Sequence, residues 1–130
     1  MLGMSNTANK SERVAVVGAS PKPDRYAFKA IQMLQQHGHT PLPVNPAYEE
    51  VVGLKCYRRI ADAPQPIDTV TIYLGAPRSN PLIDEIVNAG VRRIILNPGA
   101  ENDALTRVAN ARGIEVVEGC TLVMLTIGTF

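Results

Sequence analysis

Short apolar, β-branched runs alternate along this sequence with longer segments of helical periodicity, and this alternation is its most constraining feature. Residues 14–17 (VAVV) form an unbroken apolar run, which predicts a strand buried on both faces. A further extended piece is expected near residues 55–57, within the long connection 47–67. Four more apolar runs are predicted to be strands, at residues 40–45, 69–74, 92–96 and 114–117.

Helical segments are predicted between the strands. Apolar residues recur at three- and four-residue spacing over 27–34, which predicts a helix ended by Gly38. A second helix is expected to begin with Asn80 as its cap and Pro81 at its first position. A third is expected over residues 102–112. Strands that alternate with helices imply βαβ crossovers and a parallel sheet covered on both faces.

We therefore predict a Rossmann-like, doubly wound α/β fold with a mainly parallel five-stranded sheet and helices on both faces. A chain of 130 residues fits one domain, with residues 1–12 as a flexible N-terminal tail and residues 13–130 as the domain. The apolar segment 121–130 (TLVMLTIGTF) is ambiguous. It fits a last strand or helix packed on the domain, or a subunit contact in a homo-oligomer.

Composition excludes several functional classes. Thirteen basic and twelve acidic residues leave a net charge of +1, so neither nucleic acid nor an anionic membrane is an expected partner. No apolar run approaches the roughly 20 residues that span a bilayer, and the N-terminal residues lack the pattern of a secretory signal. Cys56 and Cys120 are far apart and lack metal-ligand spacing, which indicates a cytoplasmic protein.

The sequence contains few candidates for catalysis. His37 and His39 flank the helix-ending Gly38, where histidine interacts favourably with the helix dipole, so both are expected to be structural. The charged pairs 84–85 and 92–93 are expected at the surface. Because neither a metal cluster nor a general acid–base pair is apparent, no catalytic residue is predicted.

The loops that follow the strands are the candidate ligand site. Ligands of open parallel sheets bind outside the carboxyl ends of the strands, where the winding reverses. Small residues there let the backbone approach a flat or phosphorylated ligand closely. Four such loops are rich in Gly, Pro, Asn and Ala, at residues 18–21 (GASP), 45–48 (NPAY), 75–77 (GAP) and 97–99 (NPG). Together they predict a ligand crevice at one edge of the sheet.

The first of these loops differs from the dinucleotide fingerprint. That fingerprint requires G-x-G-x-x-G between strand and helix and an acidic residue about 20 positions later. Only Gly18 is present, and the second strand ends in Asn45 without an acidic residue. An NAD(P)-type dinucleotide is therefore the weaker alternative. Ser20, Lys22, Arg25 and the free N–H groups of the following helix are nevertheless suited to a phosphate.

The set of motifs VVGAS, PVNP, YLGAP and NPG, in this order, resembles the small coenzyme A-binding proteins. These are stand-alone relatives of the CoA-binding domain in the α-subunit of succinyl-CoA synthetase. The resemblance covers residues 13–120. It implies that coenzyme A or an acyl-CoA is the ligand.

The resemblance also implies where each part of the ligand lies. The loop after the first strand would hold the diphosphate through Gly18, Ala19 and Ser20, with phosphate or 3′-phosphate partners in Lys22, Arg25 and Tyr26. The loop after the second strand would lie along the adenosine, at Val44, Asn45 and Pro46. The pantetheine arm would follow Tyr73, Leu74, Gly75, Ala76 and Pro77, and its distal end would approach Asn97, Pro98 and Gly99.

Cys120 follows the fifth predicted strand and resembles a cysteine that recurs there in relatives. At the ligand edge its thiol would be placed to form a mixed disulfide with the coenzyme, whereas a buried, inert thiol is the commoner case. The synthetase uses a phosphorylated histidine from a following domain, which this sequence does not contain. Binding without catalysis is therefore the leading hypothesis. The alternative is a small acyl-CoA-dependent enzyme, or an enzyme subunit that needs a partner.

Overall fold

A computed structural model of the chain describes residues 10–130. Five parallel strands form one sheet, and two shorter strands pair as an antiparallel hairpin. The strands are β1 (Arg13–Val17), β2 (Thr40–Val44), β3 (Glu50–Val51), β4 (Leu54–Lys55), β5 (Thr69–Ile72), β6 (Arg93–Leu96) and β7 (Glu115–Glu118). The helices are α1 (Tyr26–Gln36), α2 (Ala76–Ser79), α3 (Ile83–Val87), α4 (Asp103–Ala111) and α5 (Thr121–Ile127).

The strand order β2-β1-β5-β6-β7 makes the winding of the sheet reverse between β1 and β5. The chain moves outward from β1 to β2, crosses back to β5, and then continues to β7 on the other side. The predicted doubly wound α/β fold is confirmed. Where the sequence predicts one extended piece, the structure has the β3–β4 hairpin, after which Tyr57 forms a parallel bridge to Val44.

Alternate residues of β1 face the two halves of the core. Val14 and Val16 pack in one cluster with apolar residues of α1 and with Leu125 of α5. Ala15 and Val17 pack in the other cluster with apolar residues of α3 and α4. These four residues of β1 are buried, as expected for a strand that is covered on both faces.

The predicted helix start at Asn80 is wrong. Helical structure begins at Ala76, and Pro77 occupies the first turn, where its missing N–H is not needed. Pro81 lies inside the helical segment and lacks the N–H that an α-helical hydrogen bond requires. The segment is therefore interrupted by a 3₁₀ turn at Asn80–Leu82 before α3 begins. Instead of capping a helix, the Asn80 side chain accepts a hydrogen bond from Asn102 Nδ2 at 2.9 Å.

The ambiguous segment after β7 forms α5, which packs on α1 within the same chain. Leu125 is buried in the interface, whereas Val123 and Ile127 are exposed on the opposite side of the helix. Within residues 10–130, neither α5 nor any other helix has the length and apolar character needed to cross a membrane.

An ion cluster centred on the buried Glu12 carboxylate lies at the N-terminal edge of the sheet. Glu12 Oε1 accepts a hydrogen bond from Thr69 Oγ1 at 2.7 Å, and Arg93 Nη2 lies 3.2 Å from the same oxygen. Arg92 Nη2 contacts Glu12 Oε2 at 2.6 Å. The Phe130 ring covers the Arg93 guanidinium at 4.4 Å. The cluster therefore links residues that are up to 81 positions apart in the chain.

Two sequence expectations change at this cluster. Arg93 is buried, so its placement at the surface is wrong, whereas Arg92 remains largely exposed. Glu12 falls within the predicted tail, yet it is buried and paired. Residues 1–9 of that tail lie outside the described residues.

We expect Glu12→Ala to lower the free energy of unfolding by about 3–5 kcal/mol, because it leaves the Arg93 guanidinium buried without its partner. Chemical denaturation measures this change. Glu115→Ala is the matched control, since the Glu115 side chain is exposed at the edge of the sheet. An equal decrease in the free energy of unfolding in the two variants would show that the buried ion pair adds no stability beyond that of an exposed side chain.

We also expect stability to depend on the protonation of His39. The Glu12 N–H donates to His39 Nδ1 at 3.0 Å, so the imidazole must be neutral, and burial lowers the pKa of His39 below 6.5. The unfolded chain then binds the proton more tightly, so stability is complete above about pH 6.5 and falls as the pH drops toward the folded-state pKa. Melting temperatures between about pH 7.5 and 5.5 test this. The decline should vanish in His39→Gln and persist in His37→Gln, and an unchanged decline in His39→Gln contradicts the assignment.

Candidate functional site

Two cavities of about 410 Å³ each lie at the carboxyl ends of β1 and β5, where the winding reverses. The first lies over the loop from β1 to α1, and the second lies on the side of α3. They share the lining residues Gly18, Asn45, Leu74 and Arg78. The two cavities therefore flank a common wall at the position where open parallel sheets bind their ligands.

Gly18 is the glycine of this common wall. Its φ of +89° is a left-handed conformation that side chains rarely adopt. A Cβ atom at this position would also lie 3.0 Å from Leu74 Cδ2 and 3.3 Å from the Tyr73 carbonyl carbon. Both the backbone conformation and the close approach of β5 therefore require glycine here.

Several backbone N–H groups of the β1–α1 loop are already hydrogen-bonded within the protein. The N–H groups of Gly18 and Ala19 both donate to the Val44 carbonyl, at 3.1 and 3.3 Å. Ser20 Oγ accepts from the Lys22 N–H at 3.1 Å. In contrast, α1 begins without a side-chain cap and without an acidic residue in its first turn. The free donors at this edge therefore include the first N–H groups of α1 and the basic side chains near them.

Positive charge is concentrated around the two cavities. Of the thirteen basic residues, five line them, namely Lys22, Arg25, Arg58, Arg59 and Arg78. Of the twelve acidic residues, all within residues 10–130, Glu85 lines them, and its carboxylate accepts the Ala61 N–H at 3.0 Å. A chain that is almost neutral overall thus has a locally cationic crevice, which favours an anionic ligand.

The structure brings together most residues that the sequence places at the site. The first cavity is lined by Gly18, Ala19, Ser20, Lys22, Arg25, Tyr26, Asn45, Tyr73, Leu74, Pro98 and Gly99. The second is lined by Gly18, Val44, Asn45, Pro46 and Leu74. Five predicted residues line neither cavity, namely Gly75, Ala76, Pro77, Asn97 and Cys120.

Sequence reasoning missed several lining residues. In the first cavity these are Ala27, Arg78 and Ala100, whereas Ala47 and Tyr48 belong to the loop 45–48 that the sequence predicts at the ligand edge. In the second they are Val17, Arg58, Arg59, Ile60, Arg78, Leu82 and Glu85. The adjacent arginines at 58 and 59 are a visible signal in the sequence, but they lie in the long connection, away from the small-residue loops.

The Asn97 side chain has a structural role, because its polar atoms are hydrogen-bonded within the protein. Its Nδ2 donates to Thr71 Oγ1 at 2.7 Å and to the Ile72 carbonyl at 2.9 Å, and its Oδ1 accepts from the Thr121 N–H at 2.9 Å. The side chain is buried and connects the ends of β5 and β6 to the start of α5. These bonds hold the neighbouring Pro98 and Gly99 in place at the first cavity.

Tyr73 and the two cysteines differ in their surroundings. Tyr73 lines the first cavity, and its hydroxyl is buried near Thr71 and Thr121 without forming a hydrogen bond to either. Burial raises the pKa of Tyr73 to about 12, so the phenol stays neutral at physiological pH. Cys56 is buried, and burial raises its pKa as well. Cys120 is half-buried immediately before α5.

Residues 12–126 match a family described as "CoA binding domain". The chain belongs to this CoA-binding domain family. Between residues 10 and 130, the CoA-binding domain contains no group of three or more His, Cys, Asp or Glu side chains arranged to hold a metal ion.

Similar proteins include both small proteins and parts of larger enzymes. The uncharacterized protein YneT of Bacillus subtilis is 26% identical over 83% of this chain and 80% of its own length. A crystal structure of an uncharacterized protein is 37% identical, covers 92% of this chain and 98% of its own, and superposes with a TM-score of 0.85. An ADP-forming acetate–CoA ligase of Archaeoglobus fulgidus is 25% identical over 80% of this chain, which spans only 17% of the ligase.

We expect Gly18→Ala to destabilise the CoA-binding domain more than Gly53→Ala does. Both glycines have a positive φ, so alanine is strained by about 1–2 kcal/mol at either position. Only at Gly18 would the new Cβ meet other atoms within 4 Å. Denaturation midpoints of the two variants measure the difference, and equal midpoints would show that Leu74 moves aside without cost.

Proposed function

We propose that this CoA-binding domain binds coenzyme A or an acyl-CoA in the crevice formed by the two cavities. The observation that carries the proposal is the concentration of cationic side chains at the winding reversal of a member of this family. Coenzyme A combines a diphosphate and a phosphate monoester with a slim, largely uncharged arm. A basic crevice with small-residue walls suits such a ligand.

The diphosphate is assigned to the start of α1. Lys22 and Arg25 line the first cavity beside the uncapped N-terminus of α1, where the helix dipole favours an anion. The pantetheine arm then follows the first cavity toward Pro98 and Gly99. This path is free of carboxylates in the cavity lining, so it does not repel the phosphates.

The adenosine is assigned to the second cavity. Val44 and Pro46 at the end of β2 form part of its wall, together with Leu74, which follows β5. These side chains offer an apolar surface for a base, whereas the first cavity carries the polar loop and the start of α1. The assignment keeps the two ends of the ligand on the two sides of Gly18.

Asn45 favours this ligand over NAD(P). In dinucleotide-binding folds the residue that follows the second strand binds the ribose hydroxyls. Here Asn45 Nδ2 donates to the Ala19 carbonyl at 2.8 Å, and Asn45 Oδ1 accepts from the Ala47 N–H at 2.8 Å. The side chain is thus occupied within the protein and is neutral rather than acidic.

We assign binding rather than catalysis to this domain, because the ionisable groups that line the crevice are mostly cations suited to phosphate. The second candidate function is a component of an acyl-CoA enzyme that acts with a partner. The similarity to an ADP-forming acetate–CoA ligase, of which this chain spans 17%, favours that candidate. Acyl-CoA formation that appears only after a partner subunit is added would support it.

We expect coenzyme A and acetyl-CoA to raise the melting temperature, because a ligand that binds only the folded state stabilises it by mass action. NAD, NADP and ATP at the same concentration should have little effect. Calorimetric titration should show that Arg25→Gln weakens coenzyme A binding by about tenfold or more, through the loss of a charge-assisted hydrogen bond.

Arg107→Gln is the matched control for this titration, because Arg107 is exposed on α4 and lines neither cavity. Its affinity for coenzyme A should equal that of the unaltered protein. A thermal response to NADP but not to coenzyme A would refute the proposed ligand. Equal losses in the two variants would remove Arg25 from the site.

A further inference from the structure

The second cavity carries a cationic group of its own, separate from the one at the start of α1. Arg58 and Arg59 line this cavity alone, whereas Lys22 and Arg25 line the first cavity alone. Arg78 lies between the two groups and lines both cavities. The crevice therefore provides two places for negative charge, one on each side of Gly18.

Hydrogen bonds on both sides hold the segment that carries Arg58 and Arg59. Before it, the Tyr57 N–H donates to the Pro43 carbonyl and the Tyr57 carbonyl accepts from the Asn45 N–H, both at 2.9 Å. After it, the Ala61 N–H donates to the Glu85 carboxylate of α3 at 3.0 Å. The two arginines are thus presented from a fixed backbone beside the end of β2.

Both guanidinium groups keep most of their donors available. Arg58 Nη1 donates to the Pro46 carbonyl over a long 3.4 Å, which leaves its other N–H groups for a ligand. Arg59 Nη2 lies 3.5 Å from Asp62 Oδ1, in a pair whose side chains are 66% and 44% exposed. Such exposed pairs are weak and exchange readily for a better partner. The Glu85 carboxylate in the same lining is already engaged by the Ala61 N–H.

Apart from its charged residues and Asn45, the second cavity is lined by apolar residues and Gly18. Its walls include Val44, Pro46, Ile60, Leu74 and Leu82. A ligand that matches these features has a flat apolar group beside a compact dianion, as a phosphorylated nucleoside does. Arginine suits the dianion because its planar fork binds phosphate through two parallel hydrogen bonds.

We propose that Arg58 and Arg59 bind the 3′-phosphate monoester of the adenosine and thereby select coenzyme A over dephospho-coenzyme A. This inference rests on the proposed function, and it assigns to the second cavity a phosphate that the sequence analysis associated with Lys22, Arg25 and Tyr26. The diphosphate remains at the start of α1. Two cationic groups on opposite sides of Gly18 then match the two separated anionic groups of one ligand.

The test compares the affinities of coenzyme A and dephospho-coenzyme A by calorimetric titration at one salt concentration. Arg58→Gln/Arg59→Gln should weaken coenzyme A binding by about tenfold or more and leave dephospho-coenzyme A binding within about twofold. The matched control is Lys55→Gln/Arg107→Gln, which removes the same charge from exposed residues that line neither cavity. The control should preserve the preference for coenzyme A.

Circular dichroism and melting temperature verify that each variant is folded, which is expected because the exchanged side chains are exposed. Equal losses for the two ligands, or no loss for either, overturn the inference while coenzyme A binding by the unaltered protein still stands. Loss of the preference in Arg25→Gln, but not in Arg58→Gln/Arg59→Gln, places the 3′-phosphate at α1 and also overturns it. Absence of coenzyme A binding by the unaltered protein overturns the proposed function, and this inference with it.

Discussion

The contact between Gly18 and the residues that follow β5 is the constraint on which the crevice at the winding reversal depends. Because the residue has no side chain and a positive φ, the chain leaves β1 directly against Leu74. The amides of Gly18 and Ala19 then attach the same turn to β2 through Val44. Three adjacent strands are thus joined where the winding reverses, and the connections that diverge from them leave open space on both sides.

Charged side chains differ in burial and pairing between the two edges of the sheet. At the N-terminal edge, the Glu12 carboxylate is buried against Arg92 and Arg93, and Phe130 covers the latter guanidinium. Breaking a buried pair leaves an uncompensated charge, which is energetically costly, so the ion pairs at this edge have a structural role. At the C-terminal edge the arginines are exposed and weakly paired, which leaves their donors available to a ligand.

The relatives place this architecture in two contexts. In YneT the matched region covers most of the protein, whereas in the acetate–CoA ligase it covers less than a fifth. The same fold is therefore found both as nearly a whole chain and as one part of a much larger enzyme.

Local patterns in the sequence were sufficient for the parallel sheet, for α1 and α4, and for most of the loops that line the first cavity. Apolar periodicity reports burial directly, and Gly18 follows the first apolar run without interruption.

The sequence alone does not show which residues that are distant in the chain pair with one another. Glu12 can be buried only because Thr69, Arg92 and Arg93 pair with its carboxylate. The Asn97 side chain is used up in hydrogen bonds to Thr71 of β5 and Thr121 of α5. Arg58 and Arg59 reach the crevice only because Tyr57 pairs beside β2. The sequence by itself determined which segments are buried and where the chain turns, since these depend on neighbouring residues. The tertiary structure decided which polar side chains remain free to bind, since that depends on partners distant in the chain.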